Sequence, residues 1–161
     1  RGYDDVDFLM SANPGEPPQS ISKVASGGEL SRVMLAVKST MSRQAGAGTL
    51  IFDEIDSGVS GATAEKIGIK LKEIAKGAQV IAVTHSPQIA SLADTHYLIK
   101  KQIVDGRSES HMIILDYDGR VAEISRIIGG VDITEKQIAA AKEMIFNKQK
   151  ILSGGQDNEN L

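Results

Sequence analysis

Residues 49–54 read TLIFDE, and this stretch decides the fold: a short apolar run is followed at once by two carboxylates, Asp53 and Glu54. A continuous apolar run of this length is typical of a strand buried on both faces, as in parallel sheets. A second run, at residues 80–83, predicts the next strand, and an apolar helical stripe at residues 64–74 lies between the two. The strand–helix–strand order predicts an α/β fold.

Polar residues follow both predicted strands, where ligands of α/β sheets gather. Taken alone, two carboxylates after a strand mean only that polar residues end it. With the second strand beside it, Asp53 is a candidate Mg²⁺ ligand, and Glu54 a candidate for orienting or deprotonating an attacking water. His85 follows the second strand directly after Thr84, and its imidazole could donate a hydrogen bond to a phosphate oxygen. Adjacent strand residues point to opposite faces, so different roles for the two carboxylates require a turning backbone.

Residues 26–32 read SGGELSR and predict the start of a helix. Ser26 and Glu29 fit a capping box, which is a structural explanation for both. It leaves Gly27 and Gly28 unexplained, because glycine costs helix stability. Glycines there would let an anion approach the backbone amides at the positive end of the helix dipole. The stretch therefore predicts a helix cap or a phosphate site.

The remaining patterns predict further elements along the chain. The expected strands are at residues 6–10, 97–102 and 111–117, with loops at 13–18 and 105–108 and a tight turn at 118–119. The expected helices are at residues 29–43, 64–77, 88–93, 123–128 and about 134–150. The first has an apolar stripe of Leu30, Val33, Met34 and Val37. The third follows the cap Ser86 and Pro87, and the last begins at a capping box of Thr134 and Gln137. We expect one domain, residues 1–152, and a disordered tail, residues 153–161.

Composition narrows the function classes. With 161 residues, 41% of them hydrophobic and 24% charged, the chain can form one globular domain. The formal net charge of −3 gives no basic footprint for nucleic acid, and the lack of cysteine excludes disulfides and thiolate-bound metal. No apolar run is long enough to cross a bilayer. No Gly-Lys pair occurs, so the lysine-bearing phosphate loop that should accompany the two motifs is missing.

Taken in order, three motifs resemble the C-terminal lobe of an ABC-type (P-loop NTPase) ATPase head. Residues 26–30 resemble its signature motif, residues 50–54 its Walker B strand and residues 84–85 its switch histidine. The longer stretches 25–32 and 52–61 resemble the RecN family of bacterial SMC-like proteins of DNA double-strand-break repair. So do residues 11–16 and 83–88, and the likeness runs from about residue 2 to 145.

This resemblance implies a head made from two distant halves joined through a coiled coil. The chain would be the half that lacks the phosphate loop (Walker A), so the isolated fragment should be inactive and the completed head an Mg²⁺-dependent ATPase. The implied catalytic residues are Glu54 and His85, with Asp53 at the metal. The implied nucleotide-binding residues are Ser26, Gly27, Gly28, Glu29 and Ser60; of these, Ser26, Gly27 and Gly28 would contact the γ-phosphate held by a second head, and Ser60 would also act across the two heads. Ser60 occupies a place where many ABC proteins have aspartate.

The implied partners are the N-terminal head half of the same polypeptide, a second head and, through the full-length protein, DNA. We expect no membrane and a cytoplasmic, nucleoid-associated protein. Two alternatives remain open: an ABC transporter ATPase and a non-catalytic interaction lobe. The pair Ile55 and Asp56 and the missing phosphate loop argue against the transporter, and the presence of Glu54 and His85 argues against the non-catalytic lobe.

Overall fold

A computed structural model describes residues 2–3, 5–11, 15–21, 26–41, 48–104, 106–130 and 132–153. Helices and strands both contribute to it, so the predicted α/β class is confirmed. The strands are β1 (Leu9–Met10), β2 (Gln19–Ser20), β3 (Thr49–Phe52), β4 (Gln79–Ala82), β5 (His96–Val104) and β6 (Arg107–Leu115). The helices are α1 (Gly27–Met41), α2 (Gly61–Ile74), α3 (Pro87–Leu92), α4 (Tyr117–Gly129) and α5 (Glu135–Ser153).

The predicted strand–helix–strand unit is present. β3 and β4 pair in parallel, with Leu50 opposite Val80 and Phe52 opposite Ala82, and α2 connects them. The predicted apolar stripe of α2 is buried and packs with Phe52 in the first core; it consists of Ala64, Ile67, Leu71 and Ile74. The crossover brings the carboxyl ends of both strands to one edge of the sheet, as the sequence predicted.

The expectation that β3 is buried on both faces is wrong. Phe52 is 5% exposed, whereas Ile51, on the opposite face, is 70% exposed. Ile81 is paired with Ile51 in the sheet and is 45% exposed. α2 packs on the face of the sheet that carries Phe52. The continuous apolar run of β3 therefore has one covered face and one open face.

The predicted stripe on α1 is also not its buried face. Leu30, Met34 and Val37 are exposed. The inner face of the helix instead follows Gly28, Arg32 and Leu35, spaced four and three residues apart. A hydrophobicity pattern does not detect a face built from glycine and arginine. The exposed stripe borders an open groove of about 250 Å³ between α1 and β3, which is lined by Leu30, Ser31, Met34, Lys38, Leu50, Ile51 and Phe52.

A second core lies among α3, α4 and α5. Its buried members are Ala90, Val121, Ile124, Ala141 and Ile145. The short helix α3 belongs to both cores, because Ile89 packs in the first and Ala90 in the second. This helix therefore ties the α/β unit to the C-terminal helices.

The hairpin of β5 and β6 and the helix after it differ from the predicted bounds. The antiparallel strands pair from His96 with Leu115 to Val104 with Arg107, so residues 107–108 are strand rather than loop. The predicted turn at residues 118–119 is wrong: it is the first turn of α4, where Asp116 caps the helix by accepting a hydrogen bond from the Gly119 N–H at 2.8 Å. The helix ends at Gly129, and Gly130 follows it with φ 76°.

Several predicted caps and ends are confirmed only in part. Pro87 begins α3, but the Ser86 hydroxyl donates to Gln88 Oε1 instead of capping the helix. At α5, Gln137 Oε1 accepts from the Thr134 N–H at 2.6 Å, which is one half of the predicted capping box. α5 continues to Ser153, and residues 154–161 of the predicted tail lie outside the described residues.

The N-terminal segment forms a small sheet of its own. β1 covers only Leu9–Met10 of the predicted strand and pairs with β2, beyond the predicted loop at residues 13–18, of which residues 13–14 are outside the described part. Among the described residues, no helix is long and apolar enough to cross a membrane.

The second core gives a stability prediction. Ile124→Ala removes a side chain that is fully buried in α4, so the free energy of unfolding should fall by about 2–5 kcal/mol. Ile128→Ala, on the same helix but at a 38% exposed position, is the matched control and should cost much less. Urea denaturation of both variants measures the difference, and equal losses would contradict this assignment of the core.

Candidate functional site

The loop after β3, residues 53–57, is the centre of the candidate site. β3 ends at Phe52, and the side chains of Asp53 and Glu54 are exposed. Glu54 has φ 54°, a left-handed backbone that few residues other than glycine adopt, and its carbonyl accepts from the Ser57 N–H at 3.0 Å. The backbone therefore turns between the two carboxylates, which is the condition for giving them different roles.

The first turns of α1 pack against this loop. The Ser31 hydroxyl donates to the Asp53 carbonyl at 2.9 Å. The Arg32 guanidinium donates through Nη1 to the carbonyl of Ser57 at 2.9 Å and to that of Ile55 at 3.4 Å. Three loop carbonyls are thus satisfied by side chains of one helix.

The two glycines of α1 meet the loop differently. Gly28 is buried, and a Cβ atom there would lie 2.9 Å from the Glu54 carbonyl oxygen and 3.0 Å from Ser57 Cβ. Gly27 is exposed, and a Cβ atom there would lie 3.6 Å from Glu54 Oε2, an ordinary contact. Gly28 therefore has a packing reason that the sequence did not reveal, whereas Gly27 does not.

The capping box predicted at the start of α1 is present. The Ser26 N–H donates to Glu29 Oε2 at 2.8 Å, and the Glu29 N–H donates back to Ser26 Oγ at 3.4 Å. The Ser26 backbone bond, followed by the bond from its hydroxyl and the nearby charge of Arg32, lowers the pKa of Glu29 below its usual value. Glu29 is therefore an ionised cap of the helix.

Thr84 and His85 follow β4 and are joined to the loop by hydrogen bonds to Asp56. Asp56 was not selected as a site residue from the sequence. Asp56 is buried, and its Oδ2 accepts from the Thr84 hydroxyl at 2.6 Å and from the His85 N–H at 3.0 Å. The same oxygen lies 3.5 Å from Nδ1 of the His85 ring, which is 82% exposed. No local sequence pattern marks Asp56, because its partners Thr84 and His85 are 28 and 29 positions away.

Ser60 lies apart from these residues. It is the N-cap of α2, where its hydroxyl accepts from the Thr63 N–H at 3.4 Å. Within the described part of the chain, no hydrogen bond or ion pair joins Ser60 to the other candidate residues. Ser60 therefore caps α2. Its contact with a nucleotide stays a prediction.

The other two histidines are outside the site. His96 begins β5, and burial, helped by the positive charge of Arg120, lowers its pKa. His111 is on β6 with Nε2 3.4 Å from Glu109 Oε2. No group of three or more histidine, aspartate or glutamate side chains in the described ranges is arranged to hold a metal ion. A Mg²⁺ ion at Asp53 would need ligands from the nucleotide and water, which is its usual mode with phosphates.

The curated relatives that this chain matches belong to one class, DNA repair proteins. More particularly, the relatives carry the name "DNA repair protein RecN". The one from Bacillus subtilis (strain 168) is 47% identical over 155 residues, and the one from Halalkalibacterium halodurans is 47% identical over 145. They cover 96% and 90% of this chain, which spans only 27% and 26% of their lengths. The chain is therefore RecN-like over nearly its whole length, and the resemblance inferred from its motifs is confirmed.

No family model matches the chain. A solved structure from "Structural biochemistry of ATP-driven dimerization and DNA stimulated activation of SMC ATPases" is 20% identical, with a TM-score of 0.48. The match covers 77% of this chain and 81% of the other.

The two glycines of α1 give a matched pair of variants. Gly28→Ala places a methyl group against loop backbone, so the helix and loop must separate, at a cost of about 1–3 kcal/mol that the better helix propensity of alanine offsets only in part. Gly27→Ala brings the same gain in propensity without the clash and should leave stability equal or higher. Urea denaturation of the two variants tests this, and a Gly28→Ala variant as stable as Gly27→Ala would contradict the packing.

Proposed function

We propose that this chain is the C-terminal lobe of an ABC-type ATPase head in a RecN-like protein, and that the completed head hydrolyses ATP. One observation carries the proposal: a single loop, residues 53–57, contacts both the start of α1 and, through Asp56, the turn that bears His85. The three motifs chosen from the sequence thus meet in the folded chain. The RecN relatives supply the second support.

Asp53, Glu54 and His85 each have a role in the proposed chemistry. Asp53 would hold the Mg²⁺ that accompanies ATP, since a carboxylate is a preferred ligand of that ion. Glu54, on the turned backbone, would take the proton of the attacking water, and His85 would contact the phosphate that is cleaved. Both carboxylates are exposed at the end of β3, where ligands bind in open α/β sheets.

The start of α1 would serve a nucleotide held by a second head. Ser26, Gly27 and Gly28 present the positive end of a 15-residue helix to a γ-phosphate, with Glu29 as the cap that fixes the turn. Gly27 is the open position of the two glycines, so it would permit the closest approach. Ser60 would approach the same nucleotide from its position before α2.

The partner that completes the head would cover the open face of the sheet. Ile51 and Ile81 are exposed on the strands and Val83 directly after β4, and the α1 stripe of Leu30, Met34 and Val37 is exposed beside them. An apolar surface of this kind is typical of an interface. This chain spans only 27% of the length of the Bacillus subtilis relative, which leaves room for an N-terminal half with a phosphate loop.

The wider setting follows from the relatives. We propose that the complete protein acts in DNA double-strand-break repair through ATP-dependent head dimerisation, in the cytoplasm at the nucleoid. Residues 1–152 would form the lobe, and 153–161 its tail. A non-catalytic lobe remains the rival, since the cap and Gly28 also have structural explanations.

The first test is completion of the head. The chain alone lacks the amides and lysine of a phosphate loop, so calorimetry should detect no tight ATP binding and assays no turnover. Adding the N-terminal half should give both. Tight ATP binding by the isolated chain would contradict the two-half architecture, and a completed head that binds ATP without hydrolysing it would favour the rival.

The second test separates the carboxylates in the completed head. Glu54→Gln keeps size and polarity but removes the base, so kcat should fall about 100-fold or more while ATP binding persists and ATP-bound dimers accumulate. Asp53→Asn is the matched control and should weaken Mg²⁺-dependent ATP binding instead. Turnover, calorimetry and light scattering measure the three effects. A normal hydrolysis rate for Glu54→Gln would exclude Glu54 as the base.

A further inference from the structure

Asp56 is a buried carboxylate to which the proposed chemistry gives no part. Its side chain is 2% exposed, and its Oδ1 atom is buried without a hydrogen-bond partner in the described residues. An ionised carboxylate is expensive to bury unless hydrogen bonds compensate it. The donors that face its Oδ2 atom all come from residues 84 and 85.

The hydrogen bonds around Asp56 run in a fixed direction. The Ser86 N–H donates to Thr84 Oγ1 at 3.0 Å, so the hydroxyl is free to donate its own proton to Asp56 Oδ2 at 2.6 Å. The His85 N–H donates to the same oxygen at 3.0 Å. Together these bonds fix the backbone from Thr84 to Ser86, and thereby the position from which the His85 ring extends.

The ring itself faces the carboxylate with one particular nitrogen. Nδ1 of His85 lies 3.5 Å from Asp56 Oδ2, and the rest of the ring is exposed. A small rotation of an exposed imidazole closes this distance to a hydrogen bond. The carboxylate can only accept, so the bond requires the proton on Nδ1, and the tautomer of a histidine is set in this way by its partner.

We propose that Asp56 is a positioning residue for His85: it fixes the turn at residues 84–86 and holds the imidazole as the Nδ1–H tautomer, with Nε2 directed to the site. In that tautomer a neutral ring accepts at Nε2, and only the protonated ring donates there to a phosphate oxygen. The catalytic part of this inference rests on the proposed function. The positioning part does not, because it concerns the chain without ATP.

The test is imidazole ¹⁵N NMR on the chain as it stands, under conditions in which the rings are neutral. The chain has three histidines, so substitution of His96 and His111 assigns the His85 signals. We expect the protonated-type nitrogen signal at Nδ1 in the wild type and its move to Nε2 in Asp56→Leu, which keeps the size of the side chain but removes every acceptor, whereas asparagine would keep an amide oxygen facing the same donors. Thr84→Val is the control, because it removes a donor but keeps the carboxylate, and it should leave the Nδ1–H tautomer in place.

Each outcome decides the question. A wild-type ring that is mainly Nε2–H overturns the proposal even if Asp56→Leu fails to fold, and so does an Nδ1–H ring that Asp56→Leu leaves unchanged. In the completed head, Asp56→Leu should lower kcat about tenfold with KM for ATP unchanged. If the wild-type head hydrolyses no ATP, the proposed function fails, while the tautomer result still decides the role of Asp56.

Discussion

The buried carboxylate of Asp56 joins the ends of two parallel strands that are far apart in sequence. Its bonds to Thr84 and to the His85 backbone compensate a charge that would be costly in the interior without them. Breaking them would leave that charge unpaired, so the loop after β3 and the turn after β4 keep a fixed relation. The contacts of α1 with the same loop then add a third segment to this arrangement.

The cores support this edge of the molecule from one side only. α2 covers one face of the two-stranded sheet, and α3 links that core to the C-terminal helices through Ile89 and Ala90. The opposite face, with Ile51 and Ile81, is open to solvent. A two-stranded sheet is seldom stable without packing, so the helices supply most of the stability of the described fold.

Local patterns in the sequence were enough for much of this structure. The strands β3 and β4, the buried stripe of α2 and the box of Ser26 and Glu29 depend on neighbours within a few residues, and each was predicted. The tight turn at residues 118–119 was mistaken because an aspartate followed by glycine also fits the first turn of a capped helix. There the capping residue is Asp116, and local chemistry alone favoured neither reading.

The features that the sequence did not reveal are contacts between distant segments. Asp56 meets residues 28 and 29 positions away, and no local pattern marks such a pair. The inner face of α1 was missed because its residues are not hydrophobic. Gly28 is needed there because the loop backbone comes close, and Arg32 because it donates to loop carbonyls. The open face of β3 was missed because an apolar strand covered on one face and an apolar strand covered on both faces have the same sequence pattern.

The left-handed backbone at Glu54 has a consequence for protein engineering. A non-glycine residue in this conformation costs on the order of 1 kcal/mol, and glycine would remove that cost. A directed-evolution screen that rewards heat resistance alone would therefore enrich glycine at this position and discard the carboxylate without any penalty in the assay. Thermostable descendants of this chain would need selection for turnover in parallel, because at residue 54 the two goals favour different side chains.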